Sequence, residues 1–224
     1  MNEYDRANFK GVYEGKSLIE TANITTVPWE IGVPQPIVCD ILDNASPGRL
    51  LDVGCGFGRN AKAAFDRGYD VTAIDTASAA IEQCQKYYAD AAITFQIRDA
   101  CNTELVSSFN MILDSATYHA IPAMQRKDYL TEMHRLATED TIFHLITFAP
   151  SIYGMPTPLA NELSEISNNV ESSGWKIISV ERVEYKGNAA AIKDFQEQKK
   201  LNIRIDDDGR TRLPVWHLVL QTNA

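Results

Sequence analysis

A chain of 224 residues, 45% hydrophobic and 23% charged, has an ordinary globular composition and the length of one large α/β domain; it needs no disulfide or metal staple to hold a core. Thirty acidic against 21 basic residues leave a formal net charge of −9, which argues against a nucleic-acid partner or an anionic membrane surface. No apolar run approaches the roughly 18 residues of a membrane helix, MNEYDRANFK has no signal-peptide pattern, and four cysteines without a CxxC pair suit a reducing compartment, so the expected location is the cytoplasm.

In chain order, residues 1–48 carry Pro28, Pro34, Pro36 and Pro47 and no sustained apolar period, which predicts an N-terminal lid or cap. From Arg49 onward, short apolar runs alternate with helical segments, the pattern of a parallel sheet with crossover helices. RLLDVG (49–54) reads as a first buried strand, Asn60 to Arg67 as a helix ended by Gly68, and DVTAID (70–75) as a second strand. The next helix places Ala80, Ile81, Cys84 and Tyr87 on one face, and ITFQI (93–97) follows as a third strand. FNMILD (109–114) is a fourth. A helix over about 123–136 turns Leu130, Met133 and Ala137 inward, and TIFHLITF (141–148) has the near-continuous apolarity of a central strand. Leu159, Leu163, Ile166 and Val170 mark a helix ended by Gly174. WKIISVERVEY (175–185) and PVWHLVLQ (214–221) close the sheet. Between them, 187–212 reads as an insertion, a helix around Ala189 to Lys200 and a turn through DDDGR; its mixed charges predict a solvated surface. The domain proper is therefore expected over 49–224, as a doubly wound α/β sheet.

The segment with chemistry in it is LLDVGCGFGRNA (50–61), a buried strand running through Gly54, Gly56 and Gly58 into a helix. Glycine serves where backbone turns tightly and a ligand must approach without a Cβ in the way. Asp52 lies inside that strand, where a carboxylate must face something that rewards it. A dinucleotide fingerprint would need glycine where Arg59 stands, which disfavours a nicotinamide cofactor. Asp75 ends the second strand, placed either to bridge ribose hydroxyls or to cap the following helix. The histidines, His119, His134, His144 and His217, lack metal-ligand spacing, and no metal is expected.

LLDVGCGFGRNA, then VTAIDT, RDA (98–100) and FNMILDSATYH, resemble the successive motifs of class I S-adenosylmethionine-dependent methyltransferases. The resemblance implies a Rossmann-like seven-stranded sheet with an antiparallel last strand, an S-adenosylmethionine cofactor and an S-adenosylhomocysteine product. By position it implies that the glycine loop with Asp52, Cys55 and Asn60 holds the methionine and ribose portion. Asp75 would meet the ribose and Asp99 the adenine amine, with Ala100 adjacent, and Thr76 and Asp114 are further cofactor-binding candidates. PWEIGVPQP (28–36) together with DSATYH is similar to a small-molecule branch that includes tellurite-resistance, thiopurine and heterocyclic-toxin methyltransferases. ATEDT (137–141) departs from it, standing where relatives carry a Pro-Gly-Gly turn.

Methyl transfer from a sulfonium is an in-line displacement in which the protein mainly aligns the acceptor and excludes water. His119 is a candidate base for an acceptor that must lose a proton, or else a histidine packed beneath the cofactor. Trp29 is a lid residue, an anchor, or both. Tyr13, Tyr118, Phe148, Tyr153 and Met155 are expected to line an apolar or aromatic acceptor pocket, whereas His134 and His144 are read as structural. The alternative reading of the same fold is a non-catalytic S-adenosylmethionine-binding module acting through a protein partner.

Overall fold

The computed structural model describes residues 7–19 and 24–223. Strands β1 (Arg49–Val53), β2 (Asp70–Asp75), β3 (Thr94–Ile97), β4 (Phe109–Ser115) and β5 (Ala137–Phe148) run parallel. Two long strands follow, β6 (Trp175–Asn188) and β8 (Arg210–Thr222), and β8 lies antiparallel between β5 and β6. The order β3-β2-β1-β4-β5-β8-β6 is the expected doubly wound sheet, and a two-residue strand, β7 (Arg204–Ile205), adds an eighth by pairing with β8.

Strand order reverses between β1 and β4, and ligands of such sheets bind at the carboxyl ends beside that reversal. Alternate residues of the buried strands face opposite layers. Leu50, Val71 and Leu113 pack with α2 (Pro36–Asp43), α3 (Arg59–Phe65) and α4 (Ser78–Tyr87), whereas Leu51, Ile112 and Phe143 pack with α5 (Arg126–Arg135) and α6 (Leu163–Glu171). Ala61 and Ala64, both fully buried, let α3 lie close against the sheet behind the glycine loop. Trp175 anchors the opposite layer, its Nε1 donating to the Leu130 carbonyl at 2.9 Å. Among the described residues no helix is long and apolar enough to cross a membrane.

Several expectations change. The described part of residues 1–48 is not one covering piece: α2 buries Val38, Ile41 and Leu42 in the main core, and its eight residues, opened by Pro36, are too few to display a period. Val12, at the end of α1 (Phe9–Val12), and Leu18, Ile19, Ile24 and Val27 form a satellite cluster, completed by Phe195. Tyr87 is 63% exposed, because the last turn of α4 runs past the edge of the sheet; Tyr88 turns in instead and stacks on Phe95. Leu159 precedes α6 rather than opening it. Residues 137–141 belong to β5, where a register shift opposite Phe109 is held by Thr141 Oγ1, which donates to the Phe109 carbonyl at 2.6 Å. The insertion is mostly absorbed into the β6–β8 hairpin, and its helix, α7 (Lys193–Lys199), faces the satellite cluster with Phe195 instead of standing wholly in solvent.

Candidate active site

Gly54, Gly56 and Gly58 all have left-handed backbones, with φ of 67°, 52° and 71°. Each also allows a different close approach. A Cβ on Gly54 would stand 2.1 Å from Thr117 Oγ1, one on Gly56 2.8 Å from the Tyr13 hydroxyl, and one on Gly58 3.0 Å from Cys84 Sγ. The loop can therefore sit against the segment after β4, the lid and α4 only because three side chains are missing. Thr117 Oγ1 donates to the Val53 carbonyl at 2.9 Å, and Gly54 and Cys55 N–H donate to the Ile74 carbonyl, fixing the loop to both flanking strands.

Above this loop lies a cavity of about 270 Å³ at the carboxyl ends of β1 to β4. Gly54, Asp75, Thr76, Asp99 and Ala100 line it, together with Ser115 and Thr117, and Phe9, Tyr13 and Trp29 add walls from the N-terminal segment. Asp75 faces the cavity and ties the glycine loop to the turn before α4: its carboxylate accepts from Gly56 N–H at 3.0 Å and from Ala77 N–H at 2.9 Å. Burial raises its pKa above the ordinary carboxylate value, and the surrounding N–H groups partly offset that rise. Asp99 organises the lip, accepting from Cys101 N–H at 2.8 Å.

The N-terminal segment is held by specific bonds. Trp29 Nε1 donates to the Tyr13 hydroxyl at 2.9 Å, and the Tyr13 ring meets Phe57 edge-on at 4.9 Å between centroids. Burial, followed by the charge of Asp75, pushes the Tyr13 hydroxyl well above its ordinary pKa, so it stays protonated over the glycine loop. Glu30 pairs with Arg59 at 3.1 Å, Gln35 exchanges hydrogen bonds with the Lys186 backbone, and the Pro28 carbonyl accepts from Asn188 N–H at 2.7 Å. The proline-rich segment is thus stitched to α3 and β6.

The remaining residues singled out in the sequence divide. Asp52, Cys55, Gly56, Gly58 and Asn60 stand outside the cavity walls and support the loop from behind; Asn60 Oδ1 accepts from Gln35 N–H at 3.0 Å. Asp52 is 1% exposed, its Oδ2 has no partner, and burial and the charge of Asp75 push its pKa up to about 7. Asp114, expected at the cofactor, is spent internally: it accepts from Thr117 N–H (2.6 Å), Tyr118 N–H (3.3 Å) and the Tyr129 hydroxyl (2.7 Å). Tyr118, expected in the acceptor pocket, is fully buried on the other face, where Arg126 covers its ring at 5.0 Å and Asn169 donates to its hydroxyl at 3.0 Å. Tyr153 carries the Arg204 guanidinium 3.8 Å from its ring centre and lines neither cavity. Phe148 and Met155 line a smaller apolar chamber behind the lid.

His119 follows the β4 loop and packs at 4.3 Å against the Phe148 ring, with no partner for Nδ1. Burial and the charge of Arg126 hold its pKa down at about 3. His144 shares a hydrogen bond with His217 at 3.0 Å beside α2, outside the cavity walls, and His134 packs edge-on against Trp175 at 5.4 Å. Phe9, Ser115 and Thr117 were not anticipated as wall residues. Ser115 and Thr117 lie within DSATYH, whose small polar residues directly after a buried strand were the available signal, while Phe9 had none.

Comparison with known proteins meets this geometry. A family model described as a methyltransferase domain matches residues 50–140, the stretch from β1 to the start of β5. The 2-heptyl-1-hydroxyquinolin-4(1H)-one methyltransferase of Mycobacteroides abscessus is 28% identical and aligns over 97% of this chain and 98% of its own length. This chain is a class I S-adenosylmethionine-dependent methyltransferase. Solved structures share the methyltransferase's fold. One, described by the conversion of a disulfide bond into a thioacetal group during echinomycin biosynthesis, superposes with a TM-score of 0.76 at 20% identity, covering 96% of this chain and 91% of that one. The 1,6-didemethyltoxoflavin-N1-methyltransferase of Burkholderia thailandensis gives 0.61 at 16% identity, covering 84% and 78%.

Proposed function

We propose that this methyltransferase transfers the methyl group of S-adenosylmethionine to a small aromatic acceptor, a ring heterocycle carrying a hydroxyl. The observation that carries the reading is the 270 Å³ cavity itself, with two acids on one wall, a side-chain-free loop beneath and an aromatic lid across the top. The name of the hydroxyquinolone relative supports the acceptor class. The cofactor fits the residues present, since the left-handed glycines leave open a cradle that Cβ atoms would fill. Gly54 would hold its methionine portion, Asp75 and Thr76 its ribose, and Asp99 with Ala100 its adenine. Bound there, it supplies an electrophilic methyl group on a sulfonium. The lid comprises the satellite cluster with Trp29, and the catalytic body runs from α2 to the end of the chain. A net charge of −9 and four free cysteines support a cytoplasmic enzyme with no nucleic-acid partner.

The chain's own contribution is alignment and exclusion of water. Tyr13 and Trp29 bring their rings over the acceptor, and Ser115, whose hydroxyl is buried without a partner, offers it a hydrogen bond. With a pKa near 3, His119 is neutral throughout the physiological range and too weakly basic to drive proton removal. It acts as a positioning residue, through its contact with Phe148.

Titration calorimetry with S-adenosylhomocysteine tests the cofactor site. Tight binding is expected, and Asp75→Ala should weaken it by roughly 1–3 kcal/mol, because a charged acceptor for hydroxyl groups is lost. Absence of binding at millimolar ligand, or an Asp75→Ala constant equal to wild type, would overturn the assignment. A second expectation concerns pH. The alkaline rise of kcat should follow the acceptor's own ionisation and keep its midpoint in His119→Gln, with only the plateau lowered. A rise centred near the ordinary histidine value of about 6.5 that disappears in His119→Gln would make His119 the base after all.

A further inference from the structure

Behind the lid, on the side away from the glycine loop, lies a second and separate space of about 70 Å³. Apart from Thr211, its walls are apolar, and they converge from several parts of the chain: Leu18 and Ile24 near the N-terminus, Phe148 and Met155 at and after the end of β5, Ile192 and Phe195 between β6 and β8, and Leu213 in β8. An apolar group that enters these walls leaves water, which favours an apolar occupant over a polar one.

Its position relative to the cofactor cavity identifies that occupant. Phe9 and Trp29 are walls of both spaces. One further contact joins them: Tyr185, a chamber wall, donates its hydroxyl at 3.4 Å to the carbonyl of Ser115, which lines the cofactor cavity. A molecule whose reactive ring sits beneath Trp29 therefore has the chamber within reach of one substituent. An apolar cavity of about 150 Å³ stays dry and takes up benzene. Half that volume suits a single narrow chain and no second ring.

We propose that this chamber is a subsite for a short unbranched alkyl substituent on the acceptor, so that the enzyme selects substrates by a chain attached to the methylated ring. The proposal rests on the methyl-transfer reading and adds a rule of specificity to it. The segment between β6 and β8 then serves as a specificity element, contributing the chamber walls Ile192 and Phe195.

The test uses the full chain saturated with S-adenosylhomocysteine, titrated with 1-hydroxyquinolin-4(1H)-ones that carry methyl, ethyl, propyl, butyl, hexyl or octyl at position 2. Each methylene entering the chamber should lower Kd about threefold to fourfold. The gain should stop after about four carbons, when the volume is filled. Ile24→Phe, which narrows the chamber, should move the break to shorter chains. Phe195→Leu, which widens it, should move the break to longer ones, and both should bind S-adenosylhomocysteine as wild type does. Opposite movements cannot come from general loss of stability. A Kd independent of chain length, a break unmoved by either variant, or no binding of any member while S-adenosylhomocysteine binds would overturn the chamber proposal alone. Failure of S-adenosylhomocysteine to bind would instead remove the methyl-transfer reading on which it stands.

Discussion

Gly54→Ala is expected to lower cofactor affinity and kcat/KM by at least about a hundredfold while leaving the sheet folded. Two costs add. A non-glycine residue at φ 67° carries about 1–2 kcal/mol of left-handed strain. The new Cβ would also lie 2.1 Å from Thr117 Oγ1 and 3.0 Å from Thr117 Cβ. Thr117 is not free to step aside: its hydroxyl holds the Val53 carbonyl and its N–H holds Asp114. The loop must move instead, and since each 1.4 kcal/mol is tenfold, a displacement costing about 3 kcal/mol removes a hundredfold. Gly68→Ala is the matched control, with a similar φ of 85° and nothing within 4 Å of the added carbon. It should lower Tm modestly and leave S-adenosylhomocysteine binding unchanged. In Gly54→Ala, adding Thr117→Gly removes the steric part and should restore binding partly. Wild-type affinity in Gly54→Ala alone would show that the loop's shape is not what holds the cofactor.

The parts of this enzyme that were legible in the sequence are those in which one short segment dictates its own environment. LLDVG declares a strand buried on both faces, and three glycines in five residues declare a turn that something approaches closely. The acids at 75 and 99 were legible because strand ends at the reversal of a doubly wound sheet face one cleft. Asp114 shows where this reasoning stops. A carboxylate at a strand end looks the same whether it meets a ligand or the N–H groups of its own loop, and here Thr117, Tyr118 and Tyr129 consume it. Tyr118 and His119 are adjacent, yet one points into the α5–α6 layer and the other toward Phe148, a choice made by the turn and by Arg126 rather than by residue type. The apolar chamber was legible only in Phe148 and Met155. Its walls Leu18 and Ile24 stand more than a hundred residues before these in sequence, and the mixed charges around Phe195 conceal the two apolar side chains, Ile192 and Phe195, that face inward.

Asp52→Asn should stabilise the cofactor-free enzyme at pH 8 and weaken its grip on S-adenosylmethionine. Asp52 is buried with one oxygen unpartnered, and its pKa is raised from 3.8 to about 7. Between about pH 4 and pH 7 the folded chain keeps a proton that the unfolded chain has released. Wild-type stability should consequently fall as pH rises through that window and remain low above it. Asparagine keeps an acceptor for the Ala61 N–H and removes the charge, so the variant's advantage should vanish near pH 4 and reach about 1–3 kcal/mol at pH 8. Such a carboxylate is retained at the expense of stability, as functional sites commonly are. Burial and the neighbouring charge of Asp75 are the leading causes of its raised pKa, so the two acids set a negative field under the glycine loop, and S-adenosylmethionine carries one more positive charge than S-adenosylhomocysteine. The substitution should therefore cost more affinity for S-adenosylmethionine than for S-adenosylhomocysteine, by about fivefold to tenfold in the ratio of their dissociation constants. An unchanged ratio would leave Asp52 without a role in charge recognition, and a variant less stable than wild type at pH 8 would mean that its second oxygen has a partner in solution.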